Sequence, residues 1–162
     1  MLVMNTYAEF VHVVWGSEPK NYTGATGHSD YVSFKHYGQC AAIIQTGAWA
    51  GGTAAVTLTQ ATAVAGTGAK ALGFSYTWLY ASASGTVDTY TKTAVTSNTF
   101  DLDTANSLYI IQVRATMLDI DGNFDCFRVS VASPGANTDL YGITLHLYDG
   151  IVSAALPSAI ID

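Results

Sequence analysis

The residues best suited to hold a metal are the carboxylates of Asp119-Ile120-Asp121-Gly122-Asn123-Phe124-Asp125. Oxygen donors at alternate positions can converge on one hard cation, as in a calcium loop, which makes Asp119, Asp121, Asn123 and Asp125 the candidate ligands. The pattern breaks twice. Phe124 stands where such a loop needs its sharp-turn glycine, and Ser130 stands where it needs the closing bidentate Glu. An Asp-Gly turn between two strands is the preferred reading, and no metal is assigned. Gly66-Thr67-Gly68-Ala69-Lys70 has the glycines and the cation of a phosphate-binding loop. It lacks the required spacing, no Ser or Thr follows the lysine, and a strand-like run comes next, so no nucleotide is assigned. His12, His28, His36 and His146 share no metal-ligand spacing, and no Ser, His and acid grouping suggests a triad. The chain is expected to be no enzyme and to carry no cofactor. Trp49 offers another kind of chemistry. In its Gly-flanked turn it would stack on a sugar or anchor in a partner's pocket, or else fold over the edge of its own sheet.

The elements that must position these residues are strands. Leu72, Phe74, Tyr76, Trp78 and Tyr80 alternate with Ala71, Gly73, Ser75, Thr77 and Leu79. A period of two puts the large groups on one face, and a buried aromatic face with Phe74 and Trp78 at its centre is predicted. The run Ala54 to Ala61 precedes it, joined through Thr62 to Lys70 as a hairpin with a long loop. Cys40-Ala41-Ala42-Ile43-Ile44 is continuously apolar, which predicts a strand buried on both faces. Leu108 to Arg114, Cys126 to Ala132 and Leu140 to Tyr148 alternate cleanly, and the Thr-rich stretch Thr86 to Thr99 suits an exposed edge. Asp103 to Leu108 has room for one helical turn. Short strands with Gly-rich turns and no amphipathic helix predict an all-β, single-domain β-sandwich or jelly-roll-like barrel.

The two ends are expected to extend from it. Residues 1–30 are read as an N-terminal arm and loop, in which Val11, Val13 and Trp15 allow a short strand and the polar stretch Tyr22 to Asp30 has no internal partner. Residues 31–162 form the sandwich with an apolar C-terminal tail. Ile151, Val152, Leu156, Ile160 and Ile161 are too apolar to hang in water, and Pro157 bars a regular central strand. The tail lies on its own sheet or on a neighbouring subunit. With Trp49, those five residues are the candidate interface.

Totals narrow the partners. Formal net charge is −6, and the six Lys and Arg are scattered singly, which argues against nucleic acid. Charged residues make up 11% of the 162, against about 25% in typical soluble domains. A surface poor in long charged side chains loses little entropy when covered, and this suits a chain packed against others. Cys40 and Cys126 lie inside apolar runs and are read as buried thiols. No apolar run reaches the length of about 18 residues that a membrane helix needs, so no membrane partner is expected.

Several phrases carry a resemblance. They are Ile44-Gln45-Thr46-Gly47-Ala48, Thr57-Leu58-Thr59-Gln60-Ala61, Gly66-Thr67-Gly68-Ala69-Lys70-Ala71-Leu72, Phe100-Asp101-Leu102-Asp103, Phe124-Asp125-Cys126 and Pro157-Ser158-Ala159-Ile160-Ile161-Asp162. Together they resemble small virion structural proteins of tailed bacteriophages, usually encoded near the major capsid protein. The similarity spans roughly residues 31–162, and the N-terminal segment departs from it. The resemblance implies a capsid decoration, or cement, protein: a β-sandwich that oligomerises, often as a trimer, over capsid junctions. Its partners would be the major capsid protein and itself. Its place would be the capsid exterior, after assembly in the bacterial cytoplasm. No active-site residue is carried over. A second expectation, from the Trp and Tyr content beside many Thr and Asn, is a carbohydrate- or receptor-binding module on the virion surface, in a head fibre or tail component.

Overall fold

Alternation with a period of two runs through most of the chain, and those stretches fold as strands. The computed structural model describes residues 6–81, 89–96, 98–150 and 158–160. In chain order come one helical turn, α1 (Tyr7–Phe10), then β1 (His12–Asn21), β2 (Gly27–His28), β3 (Val32–Ser33) and β4 (Tyr37–Trp49). There follow β5 (Ala54–Ala61), β6 (Lys70–Ala71), β7 (Tyr76–Ala81), β8 (Thr91–Ala94), β9 (Thr99–Leu102) and β10 (Ser107–Arg114). The 3-10 turns Ala115–Met117 and Ile120–Gly122 precede β11 (Cys126–Val131) and β12 (Asp139–Gly150).

Among the described residues the first sheet has the order β1-β12-β4-β10-β7-β8 and the second the order β2-β11-β5-β6, with β3 also on β11 and β9 also on β5. All these pairings are antiparallel. Tyr141, Ile143, Leu145 and Leu147 of β12 share one core with Val56 and Leu58 of β5 and Phe127, Val129 and Val131 of β11, all 2% exposed or less. Each such aliphatic side chain contributes roughly 1.5–3 kcal/mol of burial. The domain is therefore all-β and sandwich-like, as its periodicity implies. Both cysteines are buried and outside any disulfide, Cys40 in this core and Cys126 in a satellite cluster with Tyr31 and Ala61. Burial pushes the Cys40 thiol far up, so it is unreactive.

Four expectations need correction. The aromatic stretch does not keep one face buried. Leu72 and Phe74 are buried, but Tyr76 is 49% and Trp78 36% exposed, while Thr77 between them is 3%. The cause is a change of sheet. The Leu72 N–H donates to the Leu58 carbonyl on the second sheet, whereas β7 pairs with β10 and β8 in the first. A strand that crosses to the facing sheet turns its former inner side outward, so an unbroken alternation is buried in its first half and exposed in its second.

Residues 1–30 are not a separate arm. β1 pairs along β12 from His12 with Leu147 to Asn21 with Leu140. Tyr22 is buried and stacks on Tyr141 with ring centroids 4.2 Å apart. Gly27 pairs with Val131, and its N–H donates to the Tyr141 hydroxyl at 2.9 Å. The polar stretch finds its partners through backbone groups, which its composition conceals. In β4, Cys40, Ala42 and Ile44 are buried but Ala41 and Ile43 only half so, because no second layer covers that side completely. Helical turns fall at Tyr7–Phe10, Ala115–Met117 and Ile120–Gly122, not in Asp103 to Leu108, whose end is strand.

Candidate interaction surface

The two loops with metal-like and phosphate-like composition meet each other. Lys70, at the end of the β5–β6 hairpin loop, pairs with Asp119, and its ammonium lies 4.0 Å from the Phe124 ring centroid. The Asp119 carboxylate also accepts from the Gly122 N–H at 3.1 Å, and Asn123 takes the left-handed conformation at φ 61°. Lys70 first, and the Gly122 N–H second, hold the Asp119 carboxyl below its ordinary value. Asp119 therefore caps a turn and pins a hairpin, and among the described residues no cluster of His, Cys, Asp and Glu is built to hold a metal. Gly66 sits at φ +81° with the Tyr31 ring beside it, where a side chain would be strained and would collide.

Trp49 is half-buried against the main core, and its indole N–H donates to the Gly52 carbonyl at 3.1 Å. It folds over its own turn. Ile151, Val152, Leu156 and Ile161 lie outside the described residues. Within the described part of the tail, Ala159 is buried and its carbonyl accepts from the Ser33 N–H, while Ile160 is 44% exposed. These candidate interface residues are not brought together with Trp49 by any described contact.

A different surface is apolar and open. On the outer side of the first sheet, register places Trp15, Thr144, Ile43, Ile110, Trp78 and Lys92 in one row across all six strands. Trp15 is 66% exposed at one end and Trp78 36% at the other. Val13, Tyr76 and Leu140 are further exposed apolar groups on the same side. Tyr7 of α1 leans over it, its hydroxyl hydrogen-bonded to Nδ1 of His146 at 2.6 Å. Burial lowers the His146 pKa, which favours the neutral ring.

Two depressions mark the ends of this face. At the Trp15 end, Trp15, Pro19, Ile43 and Leu140 line an apolar groove of about 380 Å³. Gly142 keeps its floor low, since a Cβ there would press on the Pro19 backbone at 3.1 Å. At the Trp78 end, Tyr76, Trp78, Lys92, Gln112 and Arg114 line a wider depression of about 540 Å³. Contiguous exposed apolar surface on a folded domain marks an interaction site, and Trp and Tyr are the residues that anchor such sites. Alternation places these side chains on strands, but only the pairing of β1 and β7 shows which side faces out.

No protein-family model, curated protein or solved structure matches the chain.

Proposed function

We propose that this chain is a structural virion protein that attaches to a protein shell through the Trp15 end of the outer face of its first sheet. Trp15, 66% exposed beside an apolar groove, is the observation that carries the proposal. Covering it removes apolar surface from water while ordering few flexible side chains. The phrases that resemble small tailed-phage virion proteins support a capsid as the shell and a decoration, or cement, role on its exterior. The Trp15 groove receives the major capsid protein, and copies of the chain join as a homotrimer over capsid junctions after assembly in the host cytoplasm. Anchoring is assigned to this face rather than to Trp49, which folds over its own turn.

The test is co-sedimentation of purified chain with undecorated capsids. Wild type is expected to pellet with them, and Trp15→Ala is expected to weaken binding by about tenfold or more, as for a central aromatic anchor. Binding unchanged by Trp15→Ala would remove this face from the account.

A further inference from the structure

The wider depression has a chemistry of its own. Lys92 and Arg114 converge on it, in a chain with a formal net charge of −6 and only six Lys and Arg. Among the described residues no Asp or Glu lines it. Among the described residues neither cation is in an ion pair; the pairs present are Lys20 with Glu18 and Lys70 with Asp119. Instead, the Lys92 ammonium is held over aromatic rings, 3.8 Å from the Tyr76 centroid and 5.4 Å from that of Trp78. An aromatic face positions a cation without neutralising it, so its charge remains available to an anion. Beside it, the Gln112 amide donates to Gln39 at 2.8 Å and to Tyr148 at 2.7 Å, which fixes the side chain and leaves its carbonyl oxygen to accept from a ligand hydroxyl. Thr116 adds a hydroxyl at the rim.

We propose that this depression binds a carboxylated sugar, a uronic acid unit of an acidic polysaccharide. The carboxylate sits between Lys92 and Arg114, whose planar fork suits it. The electropositive C–H face of the sugar ring rests on Trp78, and Gln112 and Thr116 bond its hydroxyls. A peptide is a poorer fit. β7 is paired on both sides, with β8 and β10, so its backbone groups are engaged in the ladder and offer no strand-like recognition. A polyphosphate backbone would need more than two cations to bind firmly. The proposal deepens the carbohydrate-binding expectation and is independent of shell attachment, which uses the opposite end of the face.

Saturation-transfer NMR and calorimetry with a hexagalacturonate, against a neutral galactose hexamer, test it. The uronate is expected to bind about tenfold or more tightly than the neutral oligomer. Arg114→Gln and Lys92→Gln are each expected to weaken it by about tenfold, the loss of one charge-assisted bond. Both changes are on exposed cations, and should leave the melting temperature and capsid co-sedimentation unchanged, so they carry the test even if Trp78→Ala disturbs the sheet. Equal binding of the neutral oligomer would overturn the acidic specificity while leaving a sugar site. No binding of either oligomer at millimolar concentration would overturn both. Hexaglutamate bound as tightly as the uronate would make the ligand a peptide and overturn the proposal.

Discussion

The outer faces of the two sheets differ although their inner faces are alike. On the first sheet a row across the strands reads Trp15, Thr144, Ile43, Ile110, Trp78, Lys92. On the second, the equivalent row reads His28, Ser130, Thr57, Thr99, with Arg128 beside Thr59 in the next. The second row is what a sheet facing water carries: polar groups opposite a buried apolar side. The first presents aromatic groups where polar ones would serve stability equally well. Neither face is needed to close the core, so the contrast points to what each face meets. Water suffices for one, and the other has the composition of a surface that is covered.

The largest effects expected are those that both sheets share. Leu145→Ala on the first and Leu58→Ala on the second each empty a position exposed by 2% or less, and each should cost about 2–5 kcal/mol in denaturant unfolding. A much smaller loss on one side would mean that the two sheets do not share a single core.

The next effect separates the outer faces. Trp15→Ala and Thr57→Ala should each change stability by no more than about 1 kcal/mol, because both side chains are exposed. Only the tryptophan change should alter association. Phe74→Ala, on the buried side of the sheet crossing, should instead cost about 3–5 kcal/mol. If Trp78→Ala proved as destabilising as Phe74→Ala, β7 would face inward and the contrast would collapse.

The smallest effect concerns α1, which covers part of the aromatic face. Burial lowers the folded-state pKa of His146 below its unfolded value. The unfolded chain then takes up the proton first as pH falls. The contribution to stability is complete above the unfolded pKa of about 6.5, declines below it, and is lost once pH passes the folded value. Charging the ring, which burial disfavours, loosens the packing around its contact with the Tyr7 hydroxyl. Exchange of α1 amides is therefore expected to quicken below about pH 6.5 in wild type. Tyr7→Phe should show fast exchange at neutral pH as well. An α1 whose exchange ignored this window would be held by something other than the bond to His146.

Much of the inner architecture was legible in the chain. β10, β11 and β12 carry Tyr109, Ile111, Val113, then Phe127, Val129, Val131, then Tyr141, Ile143, Leu145 at every second position, and each set is buried. The outer face was not. In Val13-Val14-Trp15 both sides of the strand are apolar, so periodicity identifies the strand but not its orientation, which pairing with β12 decides. From Leu72 to Tyr80 the pattern is unbroken while the sheet changes, and a change of sheet leaves no local mark in residue type. The Lys70–Asp119 contact joins residues 49 apart, so neither loop alone reveals that its charge has a partner. The polar stretch after Tyr22 is held by backbone hydrogen bonds, which any residue but proline can supply.

Oxidative footprinting of the chain free and bound to capsids tests the central claim most directly. Trp15 and Leu140 are predicted to be open to hydroxyl radicals in the free protein and protected on the particle, while His28 and the threonine row of the second sheet react equally in both states. Protection of the His28 and Thr57 side, with Trp15 still reactive on the particle, would contradict the account.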